Sequence, residues 1–147
     1  MARLVRLGVT ACAVTLLAVS GCGDKGPTAA QAGETLKRHI TELMKEAHVL
    51  DVQITDPGGR DIPCGEGKAK RTFAATARDA APDREPGTLN DILNGALTRV
   101  APYRIAEDHG GVSFSVTSEE YRTVLFLESS VKGQYKIRGE TECLPTS

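Results

Sequence analysis

Gln134-Tyr135-Lys136-Ile137-Arg138-Gly139-Glu140-Thr141-Glu142-Cys143 decides how this chain folds. Tyr135, Ile137, Gly139, Thr141 and Cys143 fall on one face; Lys136, Arg138, Glu140 and Glu142 fall on the other. That period of two is the pattern of a half-buried β-strand, with Cys143 directed at the core. Just before it, Val124-Leu125-Phe126-Leu127 is apolar on both faces, as a central strand is. Val112, Phe114 and Val116 alternate with Ser113, Ser115 and Thr117 after the turn Asp108-His109-Gly110-Gly111. Tyr103 and Ile105 begin this run, which predicts an antiparallel meander of about four strands.

Further toward the N-terminus the period changes. Leu36, Ile40, Leu43 and Ala47 recur at helical spacing beside Met44, and Thr28 with Gln31 reads as a capping box. Gly33 weakens the first turn. Leu50, Val52 and Ile54 alternate with Asp51, Gln53 and Thr55, predicting a half-buried strand that ends in the turn Asp56-Pro57-Gly58-Gly59. Residues 70–78 predict a second strand, with Phe73, Ala75 and Ala77 on one side. After a loop over 79–87, Thr88 is read as the cap of a second helix with the stripe Leu89, Ile92, Leu93, Ala96, Leu97 and Val100, ended by Pro102. Gly95, inside that stripe, suggests a close helix–sheet approach. The order predicts an α+β domain over residues 28–147, with two helices on one face of an antiparallel sheet of about five or six strands.

The first 21 residues are of a different kind. Arg3 and Arg6 precede a short apolar stretch over 7–19, closed by Ser20 and Gly21, which is the layout of a secretory signal. The stretch is shorter than the roughly 20 apolar residues of a spanning helix. Val19-Ser20-Gly21-Cys22 resembles the lipobox of bacterial lipoproteins. The resemblance implies cleavage before Cys22 and a diacylglycerol thioether on its sulfur, with residues 22–27 as a tether. Two acyl chains anchor stably where one does not. The expected location is therefore the extracytoplasmic face of the cell membrane, with the lipid on Cys22 as the membrane contact.

Of the four cysteines, Cys12 leaves with the signal and Cys22 takes the lipid. Cys64 and Cys143 remain, in a compartment where disulfides persist, and a structural bridge between them is expected. The alternative is two buried free thiols. The lipobox, the first helix, the strand and turn from Asp51 to Gly59, Cys64-Gly65 and the closing Thr141-Glu142-Cys143-Leu144-Pro145 are similar to small actinobacterial lipoproteins of the LppA-like mycobacterial group. That resemblance implies an α+β lipoprotein of uncharacterised function and carries no catalytic residues.

Composition and motifs narrow the chemistry. A net charge of −1 and the absence of Trp give no footing for nucleic acid. His39, His48 and His109 do not pair at ligand spacing; His39 borders the apolar face of its helix and His109 sits in a turn, so no metal or other cofactor is expected. Gly111-Val112-Ser113-Phe114-Ser115 lacks the second Gly of a nucleophile elbow, and Ser113 and Ser115 read as the wet side of a strand. Glu119-Glu120 reads as a hairpin turn, and Asp83 and Glu85 as a solvated loop. Gly58-Gly59 and Gly65-Glu66-Gly67 lack the Lys of a phosphate loop. Lys68, Lys70 and Arg71 read as a charged strand edge. The function expected from all this is a non-enzymatic envelope module that binds a protein or polymer. A carrier or sensor of an apolar ligand held between helices and sheet, and an enzyme without a recognisable motif, are the alternatives.

Overall fold

Gly139 sits where the two layers of the protein meet. In the computed structural model, which describes residues 26–110 and 112–147, a Cβ built on Gly139 would lie 2.5 Å from Leu36 Cδ1, 2.9 Å from Leu125 Cδ2 and 3.0 Å from Ile40 Cδ1. Only the absence of a side chain lets the first helix lie this close to the sheet. The close approach expected at Gly95 is here instead: Gly95 faces solvent with nothing near its Cβ position.

The elements are α1 (Ala29–Glu46), β1 (Leu50–Asp56), β2 (Ile62–Gly65), β3 (Lys68–Lys70), β4 (Thr72–Arg78), α2 (Pro86–Leu97), β5 (Arg104–Asp108), β6 (Phe114–Ser118), β7 (Thr123–Leu127), β8 (Gln134–Thr141) and β9 (Leu144–Pro145). Six strands form one antiparallel sheet in the order β1-β4-β8-β7-β6-β5, and β2-β3-β9 form a small second sheet. Both helices pack on one face of the large sheet, α1 over β4 and β8, α2 over β8 and β7. The fold is α+β.

The capping box is present: Gln31 N donates to Thr28 Oγ1 and Thr28 N donates to Gln31 Oε1 at 3.0 Å. α1 runs through Gly33 without a break, and the Arg71 side chain occupies the space that a Cβ there would need. α2 begins earlier than Thr88 suggests. Glu85 occupies the cap position without a side-chain bond, and Pro86 opens the helix, its fixed φ suiting the first turn. The 70–78 strand divides at Arg71 into β3 and β4, which belong to different sheets.

The apolar faces meet as the periodicities require. Leu36, Ile40, Leu43, Leu89, Leu93, Leu125, Leu127, Tyr135 and Ile137 are buried in one core. A second small cluster, Ala29, Ala32, Ala69 and Leu144, joins the N-terminal turn of α1 to β3 and β9. Two readings fail at the margins. Leu50, Val52 and Ile54 are not half-buried: they are 44%, 48% and 50% exposed. Cys143 does not share the buried face of β8, because β8 stops at Thr141 and Cys143 lies half-buried in the link to β9.

Candidate binding groove

β1 is an edge strand, and α1 does not reach across it. The gap between them is an apolar groove of about 280 Å³. Its floor is Ile40, Met44, Phe73 and Ala75, all buried. Val49, Val52 and Ile54 form the wall, with Thr41 and Lys45 opposite. Ile54 pairs with Ala75 in the ladder, so its side chain stands on the helix-facing side of the sheet.

Local chemistry fixes the two ends of β1. Asp51 takes a left-handed backbone conformation (φ 50°) within the register shift between Leu50 and Gln53, and its carboxylate pairs with Arg78. At the other end Asp56 accepts from Gly58 N at 2.9 Å and from Thr72 Oγ1 at 2.5 Å. The Thr72 hydroxyl first, then the Gly58 amide, hold the Asp56 carboxyl below its usual range against partial burial. Gly58 has φ +68° and a Cβ there would meet Thr72 O at 2.4 Å, so the turn requires glycine. Among the described residues, the outer backbone of β1 belongs to no ladder. Unpaired amides and carbonyls beside exposed apolar side chains are a template for another extended segment.

A second cluster surrounds His39. Its Nδ1 lies 3.1 Å from Tyr103 Oη, which lies 2.7 Å from Thr123 Oγ1, and the Tyr121 ring stands edge-on at 4.7 Å. Burial, then Arg38, lower the His39 pKa, outweighing Glu42 and Glu120. Burial likewise pushes the Tyr103 hydroxyl up to about 12, beyond the opposing hydrogen bond with Thr123. The imidazole is thus held neutral beside a hydroxyl that stays protonated. Ser118 Oγ is the one buried side-chain polar atom without a partner among the described residues.

Cys64 and Cys143 form a disulfide, with Cα atoms 5.9 Å apart, that ties β2 to the C-terminal segment. Cys22, the expected signal peptide over 1–21 and all but the last two residues of the expected tether lie outside the described residues. His48 is exposed and bonds the Glu46 carbonyl; His109 is exposed beside Glu107. Ser115 is buried, contrary to the wet-face reading: it pairs with Phe126, whose ring is covered by the Arg138 guanidinium at 3.8 Å. Glu119 and Glu120 occupy the β6–β7 turn. The basic cluster is partly neutralised, with Lys70 on Glu140 at 3.0 Å and Arg71 on Asp61 at 2.7 Å. Asp83 lies in the loop before α2, and Glu85 carries an ion pair with Lys132.

The apolar pattern of β1 was visible in the sequence, but its exposure was not. The Asp79 network was also missed: Asp79 accepts from Tyr135 Oη, from Ala81 N at 2.7 Å and from Arg84 Nε at 2.9 Å, pinning the loop before α2 to β8. Nothing in the spacing of these residues signals it. Among the described residues, no group of three or more His, Cys, Asp or Glu side chains could hold a metal, and no helix is long and apolar enough to cross a membrane. Comparison of the chain with family models, with curated proteins and with solved structures gives no match.

Proposed function

We propose that this protein is a lipoprotein, anchored through Cys22 at the extracytoplasmic face of the cell membrane, and that it works as a non-enzymatic binding module. Its ligand is an extended segment of an envelope protein with apolar residues at alternate positions. The segment adds to the free edge of β1 and places those residues in the groove beside α1.

The observation that carries this reading is the exposure of Val52 and Ile54 above an apolar floor, on an edge strand whose outer side pairs with no described strand. Strand addition draws affinity from main-chain hydrogen bonds and specificity from side-chain pockets at every second residue. The groove supplies both. The one aromatic ring in the lining, Phe73, is buried in the floor, so the groove offers no exposed ring for the stacking on which a sugar polymer leans, and a peptide suits it better. An apolar carrier would need room between helices and sheet, where Leu36 and Ile40 already press on Gly139. The groove volume also falls at or below the roughly 300–1,000 Å³ of sites that engulf a small molecule.

The test is photo-crosslinking in intact cells from a reactive residue at position 52, with position 136 on the opposite face of the sheet as control. The expected adduct joins position 52 to an alternating apolar segment of one envelope protein, and Ile54→Asp removes it. The same protein captured equally from position 136, or an adduct that survives Ile54→Asp, overturns the reading.

A further inference from the structure

Cys22 precedes Gly26, the first described residue, by four positions. An extended chain covers at most about 3.3–3.6 Å per residue, so in any conformation the Cys22 backbone stays within roughly 15 Å of Gly26. Gly26 is in turn attached to a rigid part of the domain. Ala29 and Ala32 in the next turn are buried against Ala69 and Leu144. β9 is held to β3 by its ladder and by Thr146 N donating to Gly67 O at 3.0 Å, and the disulfide adds a covalent tie. Gly26, Pro27, Arg122, Leu144, Pro145 and Ser147 line one surface groove of about 380 Å³.

The strands give the domain a long axis with this groove at one end. Thr141, at the end of β8, pairs with Thr123 next to Arg122. At the other end Gln134 pairs with Arg78, which pairs with Leu50 just beyond the C-terminus of α1. Eight residues of β8 and eighteen of α1 separate the two poles by about 25 Å at ordinary strand and helix rises.

We infer that the pole formed by Pro27, Arg122, Leu144 and Pro145 is a membrane-facing surface that rests against phospholipid headgroups, held there by the shortness of the tether. This rests on the proposed lipid at Cys22. Pro145 is exposed and Lys68 stands opposite it in the β3–β9 ladder, while Arg122 is ion-paired with Glu142 at 2.7 Å, so Lys68 is the cation that the surface offers beside its apolar groups. Such a surface suits the headgroup zone, where apolar side chains meet lipid and cations meet phosphate. The far pole, with Leu50 and the exposed Val131, stands outward, and the β1 groove opens along the side between them. A protein segment docking on β1 must therefore reach a site close to the bilayer.

The chain contains no Trp, so one introduced Trp is a unique reporter. The full lipoprotein carrying Ser147→Trp or Val131→Trp is reconstituted into phosphatidylcholine–phosphatidylglycerol vesicles with headgroup spin-labelled lipid. Quenching of Ser147→Trp is expected to exceed that of Val131→Trp several-fold, and a twenty-residue Gly-Ser insertion after Gly23 should collapse the difference. Equal quenching at the two positions, or a contrast unchanged by the insertion, overturns the orientation. The intact mass of the N-terminal peptide and vesicle flotation are read on the same samples. Protein that lacks acyl chains and fails to float defeats the anchor, and the orientation with it. Acylated, floating protein with equal quenching defeats the orientation alone.

Discussion

Removing the disulfide by the double substitution Cys64→Ser, Cys143→Ser should cost this domain a large part of its stability while leaving the main sheet intact in the folded state. The two half-cystines are 79 positions apart, so the bridge closes nearly the whole span from β2 to β9. In the chain-entropy model a loop of about 80 residues restricts the unfolded chain by about 4.5 kcal/mol at 25 °C. At roughly 3–5 °C per kcal/mol for a domain of this size, the melting temperature should fall by about 15–20 °C. The native-state consequences are local. Every residue of β2 is exposed, and β9 contributes only Leu144 to the small cluster with Ala29, Ala32 and Ala69. Differential scanning calorimetry gives the loss of stability, and amide hydrogen exchange under native conditions gives its place. Amides of β3 and β9 should exchange faster, while those of β4 and β8 stay protected up to the new, lower global stability. An unchanged melting temperature would refute the loop-closure argument, and a double variant whose β4–β8 ladder is lost in the folded state would show the bridge to be part of the core.

Four more outcomes are expected. Gly139→Val forces Leu36, Ile40 and Leu125 apart and should cost at least about 1–3 kcal/mol in chemical denaturation, with partial rescue by Leu36→Ala. Thr28→Ala removes one half of the capping box and should cost about 1 kcal/mol, read as the same shift in denaturation midpoint energy. Burial raises the Asp79 carboxyl, but Tyr135, Ala81 and Arg84 outweigh it and the folded pKa lies below the unfolded one. The stabilisation is therefore complete above the ordinary carboxyl range and is lost as pH falls through the lowered folded value, so Asp79→Asn should flatten stability against pH in that acid window. The His39 pKa is also lowered, by burial first, so its neutral form stabilises the fold above the unfolded value of about 6.5 and that stabilisation is lost as pH falls through the folded one. Proton NMR titration should find the His39 ring titrating below an ordinary histidine, and a pKa above 6.5 would contradict the burial argument.

The sequence by itself determined which residues share a face. Period two in β6 and β8 and helical spacing in both helices follow from backbone geometry alone, and those stripes form the core. The capping box is equally local. The cysteine pairing is legible by elimination, because only two thiols remain once Cys12 is assigned to the expected signal and Cys22 to the proposed lipid.

What lies over each stripe was decided only in three dimensions. Leu50, Val52 and Ile54 alternate as regularly as Tyr135 and Ile137, yet the first three are exposed and the last two buried. A helix is about 10 Å across and strands lie about 4.8 Å apart, so one helix covers roughly two strands. Two adjacent helices therefore cover the middle of a six-stranded sheet and leave both edges bare. Ile54 on β1 and Ile105 on β5 stand on the helix-facing side and are exposed for that same reason. The same limit governs the glycines: Gly95 and Gly139 look alike in a sequence, and only Gly139 has a helix across from it. Position in the sheet order is set by long-range pairing, which the local period does not encode, and it is this order that turns an ordinary amphipathic strand into the wall of a groove.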